Sequence, residues 1–357
     1  MYRLSRAWLP VLLGLTCLLS IMNVRAERRV EGLYQGSVPV ADQSQASRES
    51  LLPSILANVI DKVTGRSGWR AQLPETELAA WAPGLMEEYS YQRRTDSGGD
   101  SLYLSSRFSE SLLNARLAER GVPIWGSVRP TVLVWLALDS GGVRQIVGDS
   151  QEDLTAQSLL AFGQRWGLPL QLPLMDLDDR NALNPSDLWG FFVDAIQPAS
   201  QRYQPQFSLL ARGYQQGSRW LVQWKLVDSL REVGTGEAAQ GSLDLALGDM
   251  VTAVASTLSQ RYAVMAGAQV SDQILIEVTQ LENYEDYARC LKMIASLAPV
   301  SRASPVMLKG DRLYIQISLT GSPEQFAEYL SLRPSLNEGG HSSENGMTVW
   351  RSYRWER

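Results

Sequence analysis

The chain has 357 residues, 45% of them hydrophobic and 20% charged, a balance that excludes a disordered or low-complexity protein and leaves room for two or three cores. Its formal net charge is −5, which disfavours nucleic acid or an anionic membrane surface as the main partner. One histidine and two cysteines are too few for a nitrogen- and sulfur-rich zinc site.

Residues 1–26 read as a secretory signal peptide, with Arg3 and Arg6 ahead of an apolar stretch from about Ala7 to Met22 and a cleavage site after Ala26. The stretch is short for a membrane span and contains Pro10, so a retained anchor is the weaker alternative. Cys17 raises a lipoprotein alternative, but Thr16 directly precedes it and the apolar run continues through Ile21. Losing Arg3, Arg6 and Arg25 takes the formal charge from −5 to about −8. Cys290 is then the one remaining thiol, so no internal disulfide can form. The expected location is the periplasm, with no transmembrane span after signal removal.

Residues 27–121 predict an N-terminal α+β module of order β-α-β-β-α. Val30, Gly32, Tyr34, Gly36 and Val38 alternate as in an opening strand, and Pro39 ends it. Leu52, Ile55, Leu56, Val59, Ile60 and Val63 recur at helical spacing, with Ser50 as the expected cap, Pro53 in the first turn and Gly65 as the stop. After a Trp- and Pro-containing connection, strands over 85–93 and 102–108 flank the turn-rich Asp96-Ser-Gly-Gly-Asp100. A helix over 110–120 stops at Gly121.

Residues 122–265 predict a central β-α-β-α-β-β-β-α module opening on Arg129-Pro-Thr-Val-Leu-Val-Trp-Leu-Ala-Leu-Asp139. This uninterrupted apolar run has the length and β-branched content of a strand buried on both faces. Ser150-Gln-Glu-Asp153 resembles a capping box for a helix carrying Leu159, Phe162 and Trp166 to Gly167. Leu168, Leu170, Leu172 and Leu174 point one way, as in a strand covered on one face. Ser186 is the expected cap of a helix with Trp189, Phe192, Val193 and Ile196 in one stripe, closed by Pro198. Strands over 207–214 and 219–228 follow, then a short one over 237–243 and a helix over 247–262.

Residues 266–357 predict a ferredoxin-like β-α-β-β-α-β module. Its strands lie over 274–278, on either side of Lys309-Gly-Asp311, and over 347–355. Its helices carry Tyr287, Leu291 and Ile294, then Phe326, Tyr329 and Leu330, inward. The second starts at Ser322-Pro-Glu-Gln325, with cap, proline and capping-box glutamine in place. The fold class is α+β in three modules.

Leu33-Tyr34-Gln-Gly-Ser-Val-Pro-Val-Ala-Asp-Gln43, Arg48, Val63-Thr-Gly-Arg66, Gly121-Val-Pro, Arg129-Pro-Thr-Val-Leu-Val-Trp135 and Pro173-Leu-Met-Asp-Leu-Asp-Asp179 together resemble a proteobacterial family named only as domain of unknown function 2066 (DUF2066). That resemblance spans most of the mature chain and implies no activity. In element order alone, the first two modules are similar to envelope proteins of the flagellar-assembly and TolB N-terminal kind, which implies binding of other envelope components.

The group richest in potential chemistry is Asp176, Asp178 and Asp179, with Asn181, Asn184 and Asp187 nearby, since hard cations take several oxygen ligands from one flexible stretch. Against a calcium loop, Arg180 stands where a ligand is wanted and Asn181 where the turn glycine belongs. Helix capping and pairing with arginines is the expected role, and a metal or ligand site the alternative. His341, in Gly339-Gly-His-Ser-Ser, reads as a solvated loop residue. Cys290 reads as a buried thiol, and Ser150 in Gly148-Asp-Ser150 as a cap and not a nucleophile. No Walker loop, nucleophile elbow or dinucleotide fingerprint occurs. Most of the tryptophans lie on expected core faces, and Trp69 and Trp81 are the candidates for lining a groove. The reading is a non-catalytic binding or scaffold protein without cofactor, acting on other envelope proteins or components. The alternatives are a metal-dependent hydrolase or a small-ligand-binding protein using Asp176–Asp179.

Overall fold

The structure is a computed structural model that describes residues 29–96, 99–228, 231–265, 272–333, 335–339 and 348–356. Residues 1–26, expected to be a signal peptide and including Cys17, and His341 lie outside the described residues. Among the described residues, helices and three sheets, antiparallel and mixed, make an α+β fold.

The first sheet is antiparallel in the order β1-β3-β2, from β1 (Gln35–Pro39), β2 (Met86–Asp96) and β3 (Gly99–Phe108). Helix α1 (Gln45–Thr64) lays its apolar stripe, Leu52 to Val63, against Leu104 and Phe108. It begins two turns before the expected Ser50. The cap is Ser44, whose hydroxyl accepts from the Ser47 amide at 3.2 Å, and Pro53 sits in the interior. The residues ahead of Leu52 are largely exposed, so periodicity detects the buried stripe and not the solvated start. The connection to the hairpin also carries structure. A 3₁₀ turn at Gly68–Ala71 buries Trp69, and α2 (Glu75–Leu85) buries Leu78, Ala82 and Leu85. Helix α3 (Glu110–Glu119) ends at Gly121, as expected.

The second sheet runs β5-β4-β7-β8-β9, with a two-residue β6 (Leu170–Gln171) parallel to the start of β4. Its strands are β4 (Val132–Ser140), β5 (Val143–Ile146), β7 (Phe207–Gln216), β8 (Arg219–Asp228) and β9 (Arg231–Gln240). Both faces of β4 are covered. Val132, Val134 and Leu136 join the core under α4 (Leu154–Trp166) and α8 (Leu243–Tyr262), while Leu133, Trp135 and Ala137 meet α5 (Leu177–Ala182), α6 (Pro185–Trp189) and α7 (Val193–Gln201).

Five expectations for this module change, the first being that the short strand expected over 237–243 is the ten-residue β9, Arg231–Gln240, and that α8 starts at Leu243 and not at 247. Strand β5 extends the edge where none was expected. Helix α4 is capped by Asp153, whose carboxylate accepts from the Thr155 amide at 2.8 Å, and the Ser150 hydroxyl instead accepts from the Glu152 amide in the preceding turn. Beyond Gln171 the chain leaves the sheet, so Leu172 is buried but Leu174 is 56% exposed. The helix expected from Ser186 is two helices, capped first by Asn184 and broken at Gly190–Phe192, with Phe191 at φ 55°. The break lets Leu188 and Ile196 both reach the sheet and leaves Phe192 exposed.

The third sheet runs β11-β12-β10-β14-β13, from β10 (Asp272–Thr279), β11 (Val300–Lys309), β12 (Arg312–Leu319), β13 (Leu336–Glu338) and β14 (Arg351–Trp355). Helix α9 (Tyr284–Ala295) buries Cys290 and Ile294. Helix α10 (Pro323–Ser331) starts with the expected capping box, both bonds at 3.2 Å. The β-α-β-β-α-β order holds, with β13 inserted before the last strand. That insertion reverses the chain once more, so β14 runs parallel to β10.

The first sheet and its helices have their own core, from Leu33 to Ile124, whereas one core runs from the α4–α8 face of the second sheet into the third, and the opposite face of the second sheet keeps a separate small cluster around Trp135. The Tyr329 hydroxyl on α10 donates to the Tyr262 carbonyl at the end of α8 at 2.8 Å, and their rings meet edge to face.

Candidate functional site

Asp176, Asp178 and Asp179 fall at the start of α5. Asp176 caps the helix, accepting from the Asp179 amide, and Arg202 at the end of α7 grips it with two parallel bonds of 2.8 and 2.9 Å. Asp179 is fully buried and accepts from Arg202 at 2.9 Å, from the Met175 amide at 2.8 Å and from the Tyr203 hydroxyl at 2.5 Å. All four carboxylate oxygens of the pair thus have protein donors. The Arg202 hydrogen bond holds the Asp176 carboxyl well below the usual carboxylate range. Desolvation, then Asp179, pushes the Tyr203 hydroxyl up to about 12. Asp178 is exposed in the first turn. Among the described residues, no three His, Cys, Asp or Glu side chains are grouped to hold a metal ion.

Two junctions between modules stand out. In the first, Arg129 lies just ahead of β4, 3% exposed, and spends its guanidinium on backbone carbonyls. Nη2 donates to Lys62 and Trp125 at 2.7 Å each, Nη1 to Trp166 at 2.8 Å and Gly167 at 3.1 Å, and Nε to Gly126 at 3.0 Å. Lys62 and Trp166 sit in the last turns of α1 and α4, where helix dipoles and orphan carbonyls favour a cation. The Trp125 ring covers the guanidinium at 4.2 Å. Burial, then Arg129, depresses the neighbouring Lys62 to about 8.

The second junction is open. A groove of about 860 Å3 separates the central module from the C-terminal one, between the turn into β7 and the end of α8 on one side and α10, β13 and β14 on the other. Most of its charges are paired across its own walls. Arg261 meets Glu328 at 2.5 Å and Asp228 at 3.4 Å, and Arg351 meets Glu338 at 2.8 Å. Gln171, Gln204, Gln206 and Asn337 add amides, and Leu332 and Leu336 an apolar strip. The Tyr353 hydroxyl, on a residue 3% exposed at this groove, has no hydrogen-bond partner among the described residues.

The groove wall formed by β13 is a sheet edge. Asn337 opposes Arg354, and the flanking bonds are Gly339 N–H to the Ser352 carbonyl at 2.7 Å and Glu356 N–H to the Ser335 carbonyl at 2.9 Å. In an antiparallel ladder alternate residues bond to a given neighbour, so 335, 337 and 339 face β14 while Leu336 and Glu338 turn their backbone groups to the open side. The Leu336 amide is taken back by the Arg333 carbonyl at 3.1 Å. That leaves the Leu336 carbonyl and both backbone groups of Glu338 directed away from β14.

The tryptophans proposed for a groove are elsewhere. Trp69 is core, with its indole N–H donating to buried Asp61 at 2.9 Å, and Trp81 packs half-buried on the same cluster. Cys290 is buried, and desolvation pushes its thiol up to about 12. An apolar shelf, with Tyr284, Val306 and Leu308 exposed, lies on the far edge of the third sheet. None of the groove segments carried a motif. Their one shared signal is weak: a Gln-Pro-Gln turn and a Leu-Asn-Glu segment, each short and polar beside apolar elements.

Comparison with known proteins adds little. The model of a family described as a domain of unknown function, DUF8605, matches residues 28–126, within and just beyond the N-terminal module. This is a different family from DUF2066, and the resemblance to the latter stays an expectation. No curated protein matches the chain. A solved structure, the LpoB C-terminal domain from Salmonella enterica, is 14% identical with a TM-score of 0.23, covering 37% of this chain and 94% of that one. That likeness is too slight to define a shared fold.

Proposed function

We propose that the protein is a non-catalytic binding protein of the cell envelope, exported to the periplasm, and that it recognises its partner in the groove between the central and C-terminal modules. The observation that carries this reading is the pairing within the groove. Arg261 and Arg351 pair with Asp228, Glu328 and Glu338. The lining as a whole sets Arg129, Arg261, Arg333 and Arg351 against Asp228, Glu324, Glu328 and Glu338, a balanced surface in which Glu324 is the carboxylate outside these pairs, whereas general acid–base chemistry needs convergent titratable groups facing the substrate. A charge-balanced, amide-lined cleft beside a sheet edge is suited to recognition. The leader-like residues 1–26 support export, and no helix among the described residues is long and apolar enough to cross a membrane. The acidic loop lends no support to a metal-dependent hydrolase or a small-ligand protein, because the oxygens of Asp176 and Asp179 are already held by Arg202, Tyr203 and backbone amides.

Crosslinking in intact cells, followed by affinity capture of the tagged protein and mass spectrometry, tests the proposal. It predicts a defined envelope partner. Recovery of the protein alone, under conditions that capture a known envelope complex, contradicts it.

A further inference from the structure

Resting on that reading, we infer that the groove takes an extended, uncharged polypeptide segment of a partner protein, hydrogen-bonded through its backbone to the free edge of β13. Three observations converge. The Leu336 carbonyl and the Glu338 amide and carbonyl point away from β14, the arrangement to which an added strand binds. These residues line a groove whose volume lies toward the upper end of ligand pockets, roughly 300–1,000 Å3, so the edge opens into a space able to hold a chain. Arg261 and Arg351 are paired within the walls, and the lining sets four arginines (Arg129, Arg261, Arg333, Arg351) against four carboxylates (Asp228, Glu324, Glu328, Glu338), so no net charge of the groove calls for a charged occupant, whereas backbone amides and small or apolar side chains suit it.

The edge also defines the shape of the partner. Strand β13 has three residues, enough to hold one short extended chain by a few backbone bonds but too short a ladder for the edge of a second folded sheet. At about 3.3 Å per residue, the paired stretch is roughly three to five residues long. The wider edge at β11 fits this mode poorly, because Pro305 and register shifts interrupt its ladder.

The test uses a phage-displayed library of random dodecapeptides panned on the protein comprising residues 27–357, followed by affinity measurement with a labelled selected peptide. Glu338→Pro removes the one amide aimed at the occupant without touching the β14 ladder, and the strand conformation of Asn337 tolerates a following proline. Glu338→Gln keeps that amide and a partner for Arg351. Enriched peptides should be poor in charged residues, E338Q should bind within about twofold of the unaltered protein, and E338P should lose at least tenfold at an unchanged melting temperature. Hydrogen exchange over 336–339 should slow on binding. If E338P is destabilised, N-methylation along the peptide gives the same answer, since one or two methylated amides should abolish binding. No enrichment, equal binding by E338P, tolerance of every N-methylation, or dimerisation through this edge in light scattering would overturn the inference. Capture of an envelope partner that crosslinks only outside the groove would overturn the groove assignment while leaving the binding function standing, whereas no captured partner would count against the function itself.

Discussion

The protein joins its modules in two contrasting ways. Between the N-terminal and central modules, Arg129 presents a fork of donors to five carbonyls from α1, α4 and the segment linking them, and no donor is left over. Between the central and C-terminal modules, α8 and α10 share a core, yet beside that contact the surfaces diverge into a groove with a sheet edge that no other described strand pairs. A polar group satisfied inside the fold stabilises it and is lost to recognition, whereas a backbone edge left open contributes little to the fold and remains available to a ligand. The acidic loop belongs with the first junction. Its composition suggests a binding site, but its oxygens are committed to Arg202 and Tyr203.

Removing the hub should separate the two junctions most sharply. Arg129→Ala strands buried carbonyls at the ends of two helices and should cost about 4 kcal/mol in urea unfolding, with Arg129→Lys recovering only part because an ammonium lacks the planar fork. Asp179→Ala comes next, leaving the Tyr203 hydroxyl and the Met175 amide without their acceptor, at about 2–3 kcal/mol by the same measurement. By contrast, Glu338→Pro should change stability by no more than about 0.5 kcal/mol, and a larger loss would mean that the β13 edge is structural after all.

Asp176 provides a pH-dependent test. Its folded-state pKa lies below the unfolded value, so its stabilising contribution is complete above about pH 3.9 and is lost as pH falls below that value. Asp176→Asn should flatten the acid limb of the stability profile in that range, and an unchanged limb would show that the Arg202 grip is absent in solution. The smallest expected effect is that of millimolar calcium or magnesium, which should leave the melting temperature where it is. A rise would reopen the acidic loop as a cation site.

Much of the architecture is legible in local pattern. The apolar run beginning at Val132 implies cover on both faces, and Ser322, Pro323 and Gln325 announce a helix start that the structure reproduces bond for bond. What escapes local pattern has physical causes. The solvated start of α1 has no apolar period. The break at Gly190–Phe192 is imposed by the sheet, which draws in both Leu188 and Ile196. Strand β13 is three residues long, below the length at which alternation can be seen. The acidic loop could be found by composition but not judged by it, because Arg202 and Tyr203 stand more than twenty residues away in sequence. The groove was invisible for the same reason: its walls come from the starts of β4 and β7, the ends of β8 and α8, and from α10, β13 and β14, brought together only by the tertiary fold.

The most direct measurement is site-specific photo-crosslinking in living cells, with the crosslinker placed at Asn337 on the groove edge and, separately, at Tyr284 on the apolar shelf, which is 83% exposed. A defined adduct with an envelope protein from Asn337, absent from Tyr284 and lost in the E338P background, is the result predicted here. An adduct from Tyr284 alone, or from neither position while a known envelope complex is captured in parallel, would contradict it.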